Sequence, residues 1–117
     1  MIRLYDSELK LMELLWQSEP VSAKELTLLA AQAIGWNKNT TYTVLKKLIE
    51  KGTVQRDEPN FVCTSLVKKA DVRKAETDSL IDKLYDGSRK AFFASLLEDE
   101  HLSEQELAEL KAMIEKR

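Results

Sequence analysis

Apolar residues fall in short periodic runs along the chain. Leu9, Met12, Leu15 and Trp16 recur at spacings of three and four, which predicts one buried face of a first helix. Asp6 or Ser7 stands where that helix would be capped. Ser18-Glu19-Pro20 breaks the pattern. Ser22-Ala23-Lys24-Glu25 then reads as a capping box opening a second helix, with Leu26, Leu29, Ala30 and Ala33 on its apolar side. Gly35 ends it and Asn37 is placed to cap a third.

On the third helix Thr41, Val44, Leu45 and Leu48 form one stripe, which must face the first two helices. Asn39, Thr43 and Lys46 fall roughly opposite, with Thr40 and Lys47 beside them and Lys38 near the start. Beyond Gly52, "TVQR" and "FVCTSLV" are β-rich runs separated by Asp57-Glu58-Pro59-Asn60. Three short helices and a hairpin, in that order, predict a winged helix-turn-helix. The fold class expected is mainly α with a small β-hairpin.

The remaining residues hold too few apolar groups for a core of their own, yet they form stripes. Val72, Ala75, Ser79 and Leu80 lead to Leu84 and Tyr85. Phe92, Phe93, Leu96 and Leu97 cluster after Gly87. Ser103 and Glu106 form a capping box before Leu107, Leu110, Met113 and Ile114. Such helices draw most of their stability from packing, and an identical tail is the simplest partner. The division expected is a winged helix over 1–67 and a helical dimerisation region over 68–117. The dimer contacts expected are Leu80, Leu84, Tyr85, Phe92, Phe93, Leu96, Leu97, Leu110, Met113 and Ile114. Folding of the tail onto its own winged helix is the alternative.

The 117 residues carry a net charge of −2, which does not by itself suggest a nucleic-acid binder. The distribution changes the picture. Between Trp36 and Arg56 stand Lys38, Lys46, Lys47, Lys51 and Arg56 against the single acid Glu50. A local basic patch attracts phosphate even on an acidic chain. The outer face of the third helix therefore offers donors and acceptors suited to base edges and phosphates. No apolar run approaches the ~20 residues a membrane span needs. The start of the chain shows no secretory pattern. One cysteine forbids an internal disulfide, so the cytoplasm is the expected compartment.

Enzymatic chemistry finds little footing. His101 is the sole histidine, in an acidic stretch where a surface role suffices. Cys63 lies in a β-like run and reads as a packed thiol. Glu98, Asp99 and Glu100 are consecutive and project in different directions, as a solvated charge run does. There is no phosphate-cradling glycine loop and no cluster of metal ligands, so no cofactor or metal is expected.

The order and spacing of several stretches resemble the penicillinase-repressor family of bacterial transcription regulators. "SELKLMELLW" (Ser7–Trp16) and "VSAKEL" (Val21–Leu26) are similar to its first two helices. "WNKNTTYTVLKKLIEKG" (Trp36–Gly52) resembles its recognition helix, Trp-x-x-x-Thr-x-x-Thr-Leu-Leu-x-Arg-Leu-x-x-Lys-Gly. "LYDGS" and "LSEQELAELKAMIE" resemble its tail. The resemblance implies a dimeric repressor that reads a palindromic DNA operator with the third helix. Lys38, Asn39, Thr40, Thr43, Lys46 and Lys47 become the DNA-facing candidates, with Arg56 on the wing. Thr40 and Thr43 would divide between base edges and backbone, and Lys46 and Lys47 would meet phosphates.

The sequence also departs from the family pattern. Lysine at 47 replaces the usual arginine and loses its bidentate fork. The wing tip, Asp57-Glu58-Pro59-Asn60, repels phosphate, with only Arg56 to compensate. Some family members are induced when a membrane sensor triggers proteolysis in the second tail helix. The matching bond here is Ser95–Leu96, where those members carry Asn-Phe. A copper-sensing branch uses paired cysteines near its C-terminus; "LKAMIEKR" has none, so that route is not expected. A winged helix used only to bind protein stays open as the alternative function, because the wing is acidic.

Overall fold

The computed structural model describes residues 3–117. The elements run α1 (Asp6–Ser18), β1 (Val21–Ser22), α2 (Ala23–Ala33), α3 (Lys38–Glu50), β2 (Val54–Asp57), β3 (Val62–Ser65), α4 (Lys69–Leu84), α5 (Arg89–Leu97) and α6 (Glu104–Glu115). They divide into two compact units, one ending at Ala75 and the other running from Glu76 to Arg117.

In the first unit three helices pack on a small antiparallel sheet of order β1-β3-β2. The hairpin expected after Gly52 is present, with Val54 opposite Ser65 and Asp57 opposite Val62. It has a third strand that the sequence pattern did not reveal. Val21 and Ser22 pair with Cys63 and Val62, using the break before α2 as a sheet edge. Two residues are too few to show a period of two, so no alternation could signal this strand.

The core is Leu11, Met12 and Leu15 from α1, Leu26 and Ala30 from α2, Val44, Leu45 and Leu48 from α3, and Val54 and Cys63 from the sheet. Each buried leucine here contributes roughly 1.5–3 kcal/mol. The expected stripe on α1 is corrected in part. Leu11 is in the core, whereas Leu9 and Trp16 are half-buried at its margin. Trp16 is drawn to that margin because its indole N–H donates to the Val67 carbonyl at 3.0 Å. On α2, Ala33 is exposed rather than packed, since the helix runs out one residue before its cap, Ile34.

The cap of α1 is also corrected. It is Tyr5, not Asp6 or Ser7. Glu8 is buried, and its carboxylate reaches back to accept from the Tyr5 backbone N–H at 2.8 Å. The capping residue is thus chosen by a glutamate held in the interior. At the other end of α1, Glu19 accepts from the Ser65 N–H and hydroxyl at 2.8–2.9 Å, tying the helix to β3.

In the second unit Ile81 is buried, at 3% exposure, and is the residue missed in the expected stripe. Of the expected stripe, Val72 and Ala75 belong to the first unit, where both are half-buried and Val72 packs against the core; in the second, Ser79 is half-buried and Leu80 is exposed. Tyr85 and Phe92 meet edge to face with centroids 5.4 Å apart, and Phe93 follows at 6.1 Å from Phe92. The capping box of α6 forms as expected, Glu106 N–H to Ser103 Oγ at 3.1 Å and Ser103 N–H to Glu106 Oε1 at 3.2 Å.

Candidate nucleic-acid interface

The third helix is fixed from both ends and from beneath. Asn37 caps its start, accepting from the Thr40 N–H at 2.8 Å. The turn before it bends at Gly35, whose φ of +82° suits a residue without a side chain. Thr41, Val44, Leu45 and Leu48 are all buried against α1 and α2, as their spacing predicts. Thr41 is polar but satisfied, donating to the Asn37 carbonyl at 3.3 Å.

A helix fixed in this way must turn its other side to solvent. Lys38, Asn39, Thr40, Thr43, Lys46 and Lys47 are all exposed. The Thr43 hydroxyl donates to the Asn39 carbonyl at 2.9 Å, so it offers an outside group its lone pairs and its methyl. Lys38 Nζ stands 5.9 Å from the Tyr42 ring centroid, a cation–π contact. Lys46 and Lys47 have no ion pair among the described residues.

The structure removes two charges from the basic patch. Lys51 turns inward, 2.6 Å from the Glu8 carboxylate and 2.8 Å from the Arg3 carbonyl, with the Tyr5 ring 4.6 Å away. Arg56 on the wing pairs its Nε with Glu58 Oε1 at 2.7 Å and lies 3.8 Å over the Phe61 ring. The acid that makes the wing tip unfavourable for phosphate thus also occupies part of its one base. What faces outward unpaired is concentrated on α3. Sequence reasoning missed the Glu8–Lys51 pair because the partners lie 43 positions apart.

Other candidates are placed as follows. Ser95 lies within α5, donating to the Phe92 carbonyl at 2.7 Å and bonded to the Tyr85 hydroxyl at 2.9 Å, with Leu96 exposed beside it. Cys63 is buried in β3, and desolvation raises its thiol from 9.0 to about 11, the positive charge of Arg56 opposing only in part. A thiol held neutral is a poor nucleophile. His101 is exposed, its backbone N–H bonded to Asp99. Among the described residues no group of three or more His, Cys, Asp or Glu could hold a metal ion. No helix among them is long and apolar enough to cross a membrane.

Known proteins are similar to this chain in sequence and fold. The chain is 25% identical to the penicillinase repressor of Bacillus licheniformis, over 97% of its own length and 90% of that protein's. It is 26% identical to the methicillin resistance regulatory protein MecI of Staphylococcus aureus, over 95% and 92% of the two chains. Among solved structures it is similar to the DNA binding domain of the repressor BlaI, with a TM-score of 0.55 and 25% identity, covering 59% of this chain and 87% of that one. It is similar also to the monomeric form of Bacillus licheniformis BlaI in complex with the blaP half-operator, with a TM-score of 0.52 and 25% identity, covering 60% and 88%. The penicillinase repressor family model matches residues 4–116, and the chain belongs to that family.

Proposed function

We propose that the protein is a dimeric transcriptional repressor that binds double-stranded DNA and reads a palindromic operator with α3. The observation that carries this is the outer face of α3. Six polar or cationic side chains stand exposed on a helix whose opposite side is locked into the core. The family supports it, as does a relative's monomeric form bound to a half-operator. One protomer on each half-site is what a two-fold reader requires.

In this reading Thr40 and Thr43 address base edges and backbone, Asn39 reads bases, and Lys38, Lys46 and Lys47 neutralise phosphates. The wing contributes little, because Arg56 is paired with Glu58. The tail, residues 68–117, holds two protomers together through Leu80, Leu84, Tyr85, Phe92, Phe93, Leu96, Leu97, Leu110, Met113 and Ile114. A repressor needs no chemistry, and no enzymatic activity is assigned. The expected compartment is the cytoplasm, where the DNA is. A sensor-triggered cut at Ser95–Leu96 would fall inside α5 and split the apolar cluster, parting Phe92 and Phe93 from Leu96, Leu97 and α6.

The test is binding to a duplex selected from a random pool, followed by fluorescence anisotropy across a salt series. Log affinity falls steeply with log salt, and the double change Lys46→Ala and Lys47→Ala lowers the slope by ~1.8, about 0.9 per lost phosphate contact. Thr43→Ala relaxes base preference instead. A slope that the double variant leaves untouched refutes the assignment of α3.

A further inference from the structure

Between α3 and the loop joining β2 to β3 lies a recess of about 400 Å³, lined by Tyr42, Lys46, Ile49, Glu50, Arg56 and Phe61. That volume falls in the range of small-molecule sites. Its floor is apolar. The Tyr42 and Phe61 rings lie 6.2 Å apart and tilted by 57°, with Ile49 beside them. Phe61 is held there by its backbone. It has φ of +51°, after Asn60 at +75°, in a region that side chains larger than glycine avoid. Its carbonyl accepts from the Ala23 N–H at 2.9 Å, anchoring the loop from the far side.

The rim carries two cations, Lys46 and Arg56, and the acid Glu50. Arg56 gives its Nε to Glu58, but its two terminal nitrogens have no partner among the described residues, nor does Lys46 Nζ. Glu50 and Glu58 offset these two charges, so what the rim offers a ligand is unpaired N–H donors rather than net charge. Aromatic walls under unpaired donors of this kind suit a flat apolar body that ends in a carboxylate. We propose that this recess binds a small aromatic carboxylate, and that its occupation competes with DNA. The competition rests on the DNA reading above, because Lys46 would serve both ligands. The site itself does not.

The probes are 2-naphthoate, its neutral amide and 2-naphthylmethylammonium, added to the full chain and followed by heteronuclear NMR. Naphthoate gives saturable shifts at Tyr42, Ile49 and Phe61. The amide binds at least ~10-fold more weakly, having lost the charged hydrogen bonds, and the ammonium does not saturate. Lys46→Gln combined with Arg56→Gln abolishes the preference for naphthoate over the amide and leaves the thermal midpoint unchanged. Absence of saturable shifts up to the solubility limit, equal affinity for the three probes, or shifts confined to another surface would each overturn the site. In anisotropy, saturating naphthoate weakens duplex binding. Duplex affinity that naphthoate leaves unaltered overturns the competition. Uptake of naphthoate by a protein with no affinity for any duplex supports the site and refutes the repressor reading.

Discussion

The two compact units treat their apolar residues in opposite ways. In the first, leucines at helical spacing are fully enclosed: Leu11, Leu26, Leu45 and Leu48 are at 0% exposure. In the second, Leu84, Met113 and Ile114 remain 70%, 65% and 67% exposed, and Ile81 is the buried residue. Helical spacing is alike in both. A stripe predicts that a residue seeks burial, but not whether its own chain supplies the cover. The first unit closes on itself because three helices and a sheet give each stripe a facing stripe. The second presents surface of the kind that a second protomer covers.

Substitutions separate these behaviours. The largest effect is expected at Leu45→Ala, which removes a fully enclosed side chain and costs ~3–5 kcal/mol in denaturant unfolding. A similar truncation in the tail, Leu84→Ala with Met113→Ala, changes unfolding of the dilute protein by under ~1 kcal/mol. Its effect is on assembly, where sedimentation equilibrium shows dimer dissociation rising at least ~10-fold, as 1.4 kcal/mol of lost contact requires. If this pair destabilised the isolated chain as much as Leu45→Ala does, the contrast would fail.

A smaller loss, ~1–3 kcal/mol, is expected from Lys51→Met, which leaves the buried Glu8 carboxylate without its cation. Urea unfolding measures it, and a neutral outcome would mean that the pair is dispensable. Cys63 gives a pH-dependent effect. Its thiol is raised in the fold from 9.0 to about 11, so it supports stability fully below pH 9. That support is lost as pH rises from 9 to 11, since only the unfolded chain then ionises readily. Cys63→Ala removes this part of the decline, read as the difference between the two pH profiles. The smallest change is expected from Glu58→Gln. It frees an exposed pair worth under ~1 kcal/mol, leaving stability unaltered. Duplex affinity rises a few-fold at low salt as Arg56 is released.

Much of the winged helix could be read from residue order. The stripe on α3 placed Thr41, Val44, Leu45 and Leu48 inside, and so left Asn39, Thr43 and Lys46 outside, because 3.6 residues per turn allow no other division. The Asn37 cap and the Ser103–Glu106 box were visible because capping acts within four residues. Tyr5 as the cap of α1 was not, since it depends on Glu8 being drawn inward to Lys51.

The sequence by itself determined the helices, the hairpin, the polar face of α3 and the apolar stripes of the tail. All of these follow from interactions local in the chain. Tertiary structure alone decided which cations remain free, withdrawing Lys51 into the interior and engaging Arg56 on the wing. It also paired Val21 with Cys63 and brought Tyr42, Ile49 and Phe61 around one recess. The reason is physical. Charge pairing, strand pairing and cavity shape depend on distances through space, and residues far apart in sequence become neighbours only when the core closes.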